Sequence, residues 1–351
     1  MMQCLRSADM WALALGAAFL GCGGGGSPRL GMYLARHALD TCGPVRLLDY
    51  EELSGPAVVV GMIGAPNIDE EKLPSGDELL RAVDCLAPYV DGDCRAVGAL
   101  EIGGSNGMFA VVAAARMRLP LLDADTMGRA FPLLSMSSWF LPEHSGRQFV
   151  AFADAVGHTL VIPGEDGEYV DKIAELMTRH FGGVAAVAIG PLLPRVHGQR
   201  LNLGSFTTAH RIGVALEHSS DIYSLYESLQ EWTACELFVG KVSECVKQFQ
   251  GHYPYGMCTL ETTYPNWSHI RLDFQNEFLL LSRDGQSIAT VPDIISVIDL
   301  SQLQPITPSE LAYGMEIAVV TMPAPRIWQE DRRRRRVGPA TFGYEWLDGY
   351  D

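Results

Sequence analysis

Apolar segments of two lengths alternate along the first half of the chain. Short runs at residues 45–48, 57–60 and 97–100 are rich in β-branched and other apolar residues and are typical of buried strands. Longer stretches of good helix formers lie near them, at residues 77–86 and 108–117. This alternation predicts an α/β domain with an open, mostly parallel sheet and helices on both faces.

The N-terminal segment predicts a helix, a glycine loop and a second helix. Ser7 fits the N-cap of a helix that continues to about Leu20, and Ser27-Pro28 fits the start of the next helix. The loop at residues 21–26 formally matches the dinucleotide motif GxGxxG, but that motif follows a strand, and here a helix is predicted. We therefore expect no nucleotide cofactor.

Three glycines of this loop are candidate substrate-binding residues. Gly23, Gly24 and Gly25 let the backbone come very close to a neighbouring group, because they carry no side chain. That group is either a ligand, held by backbone amides at the start of the next helix, or another loop of the protein. The sequence leaves both interpretations open.

The pattern changes after about Pro163. Helical stretches follow at residues 171–181, 205–219 and 223–234, with a buried-strand run at residues 184–189. From Glu236 onward short apolar runs broken by turns predict mainly β structure. We place a domain boundary near residue 170. The prediction is an α/β domain of residues 1–170, followed by a β-rich C-terminal domain of residues 171–351.

Composition and charge narrow the classes of function. A chain of 351 residues, 48% hydrophobic and 19% charged, is long enough to bury two cores. The net charge of −16 argues against binding of nucleic acid, which requires a basic surface. The five arginines at 332–336 are the exception, and their surroundings favour a solvated loop.

Cysteines and targeting signals favour a cytoplasmic location. The eight cysteines contain no Cys-x-x-Cys pair, so we expect mostly reduced thiols. The apolar stretch at residues 10–20 is shorter than a membrane span, which takes about 20 residues. The sequence up to Cys22 resembles a lipoprotein cleavage site, but Asp9 stands where a signal peptide is basic. We expect no membrane association.

A carboxylate follows the strand predicted at residues 97–100. Glu101 leads into two glycines, Ser105 and Asn106. Ligands of open α/β sheets bind beyond the carboxyl ends of the strands, so Glu101 and Asn106 are candidate site residues. Ser105 or Asn106 would alternatively cap the next helix. Glu101 has no such alternative, because a carboxylate at the end of a buried strand needs a partner or a ligand.

A second acidic turn follows the apolar residues 119–122. Asp123 and Asp125 either share a metal, divide acid and base roles, or bond to their own backbone as turn residues do. We predict Glu101, Asp123 and Asp125 as the catalytic carboxylates. Arg129 lies close behind, where it would pair with them or bind an anionic substrate.

Three residues elsewhere complete the candidate site. His210 is a third candidate metal ligand, so a divalent metal is an open alternative, although no His-x-x-x-His pair is present. Asn276 and Glu277 belong to a β run, residues 273–277, whose polar residues occupy both faces, which implies a partner. We expect this polar pair at a domain interface or in a second wall of the site.

Several of these segments resemble a known family, the S-methyl thiohydantoin desulfurase-like proteins. The resemblance runs nearly from end to end and is carried by segments in both halves. They are residues 20–26, Gly64-Ala65-Pro66, residues 101–106, 119–132 and 274–277, Val291-Pro292-Asp293, Tyr313-Gly314 and residues 338–343.

This resemblance implies a fold and an activity. The fold would be an α/β domain followed by a β-rich domain. The activity would be hydrolytic, with water attacking a ring carbon and methanethiol leaving an S-methylated thiohydantoin. Asp123 or Asp125 would act as base or metal ligand and Glu101 as the partner carboxylate. Asn106 and the glycine-loop amides would donate hydrogen bonds.

Two alternatives to catalysis stay open. Many relatives occur beside hydantoinase/oxoprolinase-type enzymes, so the chain would alternatively be a non-catalytic partner of such an enzyme. A sensor of small ligands would use the same cleft without turnover. The partners we expect are a small-molecule substrate and, as further alternatives, a hydantoinase-type protein or a second copy of the chain.

Overall fold

The computed structural model describes residues 3–64, 72–141, 147–250 and 253–345, so Ala65 and Pro66 of the Gly-Ala-Pro segment lie outside it. The helices of the described residues are α1 Met10–Leu20, α2 Pro28–Cys42, α3 Asp77–Leu86, α4 Gly104–Met117, α5 Gly167–His180, α6 Ser205–His218, α7 Ile222–Leu229 and α8 Asp331–Val337. The strands of the first sheet are β1 Cys4–Leu5, β2 Val45–Leu48, β3 Ala57–Gly64, β4 Ala96–Ala99, β5 Leu121–Asp125, β6 Phe149–Ala153, β7 Thr159–Pro163, β8 Val184–Leu192 and β9 Asn202–Leu203. Those of the second sheet are β10 Glu236–Gln250, β11 Tyr253–Tyr264, β12 His269–Gln275, β13 Glu277–Arg283, β14 Gln286–Thr290, β15 Ile294–Asp299, β16 Gln304–Pro305 and β17 Glu316–Met322.

The first sheet has the order β1-β2-β5-β4-β3-β8-β6-β7, with β9 paired to β5. Strands β2, β5, β4 and β3 are parallel to one another, whereas β1 pairs with β2, and β8 with β3, in antiparallel orientation. Helices cover both faces: α1, α2, α3, α4 and α6 contribute to the core on one face, and α5 to the core on the other. The prediction of an α/β domain is confirmed.

The second sheet is antiparallel throughout and has the order β14-β13-β12-β11-β10-β17-β15-β16. It confirms the expectation of a β-rich C-terminal part. The first sheet, however, continues past the boundary predicted near residue 170, because β8 and β9 belong to it. The last segment of the chain returns to the first domain, where the Trp328 indole donates to the Met127 carbonyl at 2.7 Å.

The first helix is part of the core. It begins at Met10 and not at Ser7, because residues 7–9 form a 3₁₀ turn. Most of its residues are buried, and the buried residues lie on all faces of the helix. Its Gly16 and the Gly213 of α6 allow the two helices to pack backbone against backbone, since a Cβ at Gly16 would lie 1.7 Å from the Ala209 carbonyl oxygen.

Three local predictions differ from the structure. Helix α4 begins at Gly104, earlier than predicted, so Asn106 lies inside its first turn. Asp123 and Asp125 belong to β5 and not to a turn, because pairing with β9 extends the strand. The arginine run forms α8 and not a loop, and Arg334 makes an ion pair with Asp293 at 3.1 Å.

Cysteine pairing is limited. Cys245 of β10 and Cys258 of β11 lie opposite each other and form a disulfide, whereas the other six cysteines are free. Within the described residues, we find no helix with both the length and the apolar character needed to cross a membrane.

Candidate functional site

A cleft of about 700 Å³ lies where the ends of two central strands face the second sheet. Residues from the end of β3, and Glu101 and Asn106 after β4, line one side. Asn276 and Glu277, at the turn between β12 and β13, line it from the second sheet. The cleft thus occupies the position at which open α/β sheets bind their ligands.

Glu101 is a buried carboxyl group in the wall of this cleft. Only 4% of its surface is exposed. Its Oε1 accepts a hydrogen bond from the Asn106 amide at 2.6 Å, and its Oε2 accepts from the Phe131 backbone N–H at 3.1 Å. The pKa of Glu101 is raised to about 8, chiefly by burial and to a smaller extent by the nearby Glu277 and Asp125 charges, although the two hydrogen bonds lower it.

Asn106 joins Glu101 to the end of β3. Its Oδ1 accepts from the Met62 backbone N–H at 2.6 Å, and its Nδ2 donates to the Met62 carbonyl at 3.1 Å. The same amide nitrogen reaches Glu101. Asn106 therefore does not cap α4, as its sequence position also allowed, but holds the carboxyl group in place.

Glu277 is the second buried carboxyl group of the cleft. The Asn276 amide donates to its Oε1 at 2.6 Å, while its Oε2 is buried without a hydrogen-bond partner. Asn276 adopts the left-handed backbone conformation, with a φ of 66°, which turns the chain sharply before β13. Burial raises the pKa of Glu277 to about 7, although Asn276 and the Arg129 charge lower it.

The glycine loop packs against other parts of the protein. A Cβ at Gly24 would lie 2.4 Å from Glu277 Oε1, and a Cβ at Gly25 would lie 2.4 Å from the Gly103 carbonyl oxygen. Gly23 packs against Pro308 and Phe278 of the second domain in the same way. The loop is therefore a close backbone crossing that seats Glu277, and its Gly25 also lines the cleft.

Asp125 lies behind the site. Its Oδ2 accepts from the backbone N–H groups of Ile102 at 3.0 Å and Gly128 at 2.6 Å, and its Oδ1 accepts from the Asn202 amide at 3.1 Å. It is fully buried, and burial raises its pKa to about 6. Asp125 binds the backbone N–H of Ile102, the residue that follows Glu101, and so helps to position Glu101 without lining the cleft.

Arg129 connects the two domains through backbone carbonyls. It is fully buried and donates to the carbonyl oxygens of Asp293 at 2.6 Å and Phe278 at 3.0 Å. These bonds hold the strand that carries Glu277 against the first domain. The guanidinium also provides the positive charge that lowers the Glu277 pKa.

Asp123 and His210 do not line this cleft. Asp123 accepts from the backbone N–H groups of Phe206 at 2.8 Å and Thr207 at 3.1 Å, and from the Thr207 hydroxyl, so it holds the N-terminus of α6. His210 lies on α6 beside Asp9, at 3.8 Å. Nowhere in residues 3–64, 72–141, 147–250 or 253–345 do three or more metal-ligating side chains gather in a metal-binding group.

One part of the cleft was not predicted from the sequence. Apolar side chains line it after the turn at Arg129, and charged side chains of α5 lie at its rim. The apolar members are Phe131, Leu133, Leu134, Met136 and Phe342. Their only signal was a cluster of apolar residues in a segment without the period of a helix or a strand.

The fold and the cleft define a two-domain α/β protein whose site combines carboxyl groups from both sheets. Residues 8–164 match the S-Me-THD-like N-terminal domain, and residues 165–348 match the S-Me-THD-like C-terminal domain. The chain therefore belongs to the S-Me-THD-like family.

Comparison with individual proteins adds the fold alone. No curated protein matches the chain. An X-ray crystal structure of a protein from Chromobacterium violaceum is similar, with 22% sequence identity and a TM-score of 0.79. The match covers 100% of this chain and 99% of that one, so the two-domain architecture is shared as a whole.

Proposed function

We propose that the chain hydrolyses a small cyclic thiohydantoin, releasing methanethiol from an S-methylated ring and leaving a hydantoin. Membership in the S-Me-THD-like family supports the substrate class. One observation carries the proposal: Glu101 and Glu277 are buried in the same cleft, with pKa values of about 8 and about 7. Two carboxyl groups that titrate near neutral pH are suited to act as acid and base.

The unpartnered oxygen of Glu277 makes this residue the base of the first step. Its carboxylate takes a proton from water as the water oxygen bonds to the ring carbon that bears sulfur. Glu101, whose pKa is the higher of the two, donates its proton to the adjacent ring nitrogen. The ring carbon becomes tetrahedral, Glu277 becomes protonated and Glu101 becomes ionised.

The second step restores both groups. The carbon–sulfur bond breaks, and the hydroxyl on the ring carbon becomes a carbonyl as its proton passes to Glu101. The departing methanethiolate takes the proton held by Glu277 and leaves as methanethiol. One water is consumed, and each carboxyl group returns to its initial protonation state.

The test compares two variants of the pair with wild-type protein. Glu277→Gln and Glu101→Gln keep the size of each side chain but remove its ability to exchange a proton. We expect each to lower kcat by about 10²–10⁴-fold, the usual contribution of general acid–base catalysis. The measurement is mass-spectrometric detection of hydantoin and methanethiol from an S-methyl thiohydantoin.

Asp123→Asn is the matched control. Asp123 is a buried carboxylate of the first domain, like Glu101, but it binds the N-terminus of α6 and does not line the cleft. We expect this variant to retain turnover. Full activity of Glu277→Gln, or loss of activity in Asp123→Asn with an intact fold, would contradict the assignment of the pair. Absence of turnover in wild-type protein would refute the proposed reaction.

A further inference from the structure

The wall of the cleft that continues from the carboxyl pair is apolar. Leu133, Leu134, Met136 and Phe342 line it. We infer that the substrate ring carries an apolar substituent, of about the size of a leucine or phenylalanine side chain, and that these four residues bind it. The inference rests on the proposed function and names the substrate class more closely.

Two hydrogen bonds place this wall beside the reacting groups. The Phe131 backbone N–H donates to Glu101 Oε2 at 3.1 Å. The segment from Phe131 to Leu133 therefore begins next to the Glu101 carboxyl group in space. The Gln275 amide donates to the Phe342 carbonyl at 2.9 Å, so Phe342 lies next to the strand end that precedes Glu277. A ring held between the two carboxyl groups thus has apolar side chains within reach of its substituent.

The size of the cleft leaves room for such a group. A five-membered ring with one methylthio group fills only a small part of about 700 Å³. Leu133 is 44% exposed in the free protein, although it lines the cleft. Burial of this side chain by an apolar substituent would be favourable, since removing apolar surface from water stabilises a complex.

The charges around the cleft argue against an acidic substituent. Among the described lining residues, the helix α5 contributes Glu168, Asp171 and Glu175 but a single cation, Lys172. An anionic group would therefore meet more negative than positive charge.

Two of these carboxylates are already engaged, which weakens their attraction for a basic substituent. Asp171 accepts a hydrogen bond from the Ser135 backbone N–H at 3.1 Å. Glu175 forms an ion pair with Arg179 at 2.6 Å. The apolar wall offers a substituent a surface that does not depend on these charges.

The experiment is a substrate series with a constant reacting ring. S-methyl thiohydantoins derived from glycine, alanine, leucine, phenylalanine, glutamate and lysine differ only in the ring substituent. We expect kcat/KM for the leucine compound to exceed that for the glycine compound by at least about 10-fold. One methylene group in a hydrophobic pocket already changes kcat/KM by about 10- to 200-fold. The glutamate and lysine compounds are expected to fall below the leucine compound.

A pair of variants ties the preference to the wall. Leu133→Asp is expected to lower the leucine-to-glycine ratio of kcat/KM by about 10-fold, because it replaces an apolar contact with a charge. Leu176→Asp is the control: Leu176 lies on α5, is 57% exposed and does not line the cleft, so the ratio is expected to stay constant.

The outcomes separate this inference from the proposed function. Turnover of all six compounds at similar kcat/KM, or preference for the glutamate or lysine compound, would overturn the inference and leave the hydrolase intact. An unchanged ratio in Leu133→Asp would do the same. No turnover of any compound by wild-type protein, together with no binding of any by calorimetry, would overturn both.

Discussion

At the scale of single residues, the environment separates the roles of similar carboxylates. Glu101 and Glu277 are buried with few hydrogen bonds, and their pKa values rise to about 8 and about 7. Asp123 is also buried, but two backbone N–H groups and a hydroxyl bind its oxygens. Burial alone therefore does not make a catalytic group. An oxygen left without a partner, as in Glu277, is the more informative feature.

The first prediction concerns the pH dependence of turnover. With Glu277 as base and Glu101 as acid, kcat/KM is expected to rise through about pH 7 and fall through about pH 8. Initial rates measured from pH 5 to 10 test this, and the residual activity of Glu101→Gln is expected to lack the alkaline decline. A flat profile for wild-type protein would contradict the assignment.

The second prediction concerns the seat of Glu277. Gly24→Ala would bring a Cβ to within 2.4 Å of Glu277 Oε1, so the carboxyl group must move. We expect kcat to fall by about 10²-fold, the scale of a 1 Å misplacement in an active site. Gly164→Ala is the control, because the atoms nearest to its Cβ would be Val150 Cγ2 at 3.1 Å and the Gln148 carbonyl oxygen at 3.4 Å. Equal activity of both variants would exclude this role for Gly24.

The sequence predicted individual residues unevenly. It predicted Glu101, because a carboxylate at the end of a buried strand has no local explanation, and it predicted Asn106 beside it, although Asn106 would alternatively have capped the next helix. It grouped Asp123 with them by proximity along the chain. The structure assigns Asp123 to the N-terminus of α6, which begins far along the chain at Ser205. Such long-range partners leave no trace in local spacing.

At the scale of elements, the position at which each strand ends decides which side chains reach the cleft. Strand β9 pairs with β5 and keeps both aspartates within the sheet. The turn after β4 instead passes directly into α4, and Glu101 projects at the strand end. The sequence predicted both strands and the helix between them, but strand ends depend on neighbours that the local pattern does not reveal.

The third prediction tests the anchoring of α6. Asp123→Ala removes the acceptor for the N–H groups of Phe206 and Thr207 and for the Thr207 hydroxyl. We expect a loss of about 1–3 kcal/mol in the free energy of unfolding, the cost of leaving buried donors unsatisfied. Urea denaturation measures it. Asp123→Asn keeps one acceptor and is expected to lose less; an equal loss would point to the charge and not to the bonds.

At the scale of the whole molecule, the site depends on how the two sheets meet. Arg129 bonds to the carbonyls of Phe278 and Asp293, and Trp328 bonds back to Met127. The sequence predicted the two kinds of domain and placed Asn276 and Glu277 at an interface or in a second wall of the site. It did not pair Glu277 with Glu101, because their placement in one cleft depends on the docking of one sheet against the other.

The fourth prediction concerns stability against pH. The folded protein raises the pKa of Glu101 and Glu277 from 4.5 to about 8 and about 7, so it holds protons that the unfolded chain has lost. Stability is therefore expected to fall as pH rises from about 4.5 to about 8, since the unfolded state binds fewer protons in this window. The melting temperature of a Glu101→Gln, Glu277→Gln double variant should decline less than that of wild type between pH 5 and 9. Parallel declines would contradict this.

The distance along the chain between the two carboxyl groups has a consequence for synthesis. Glu101 leaves the ribosome early, at the end of the fourth strand, whereas Glu277 follows only after the first sheet is complete. The glycine that seats Glu277 is made earlier still, at position 24. While residues 102–276 are being translated, the nascent chain thus contains Gly24 and Glu101 but not yet Glu277. The pair can therefore assemble only once β13, which begins at Glu277, has been made.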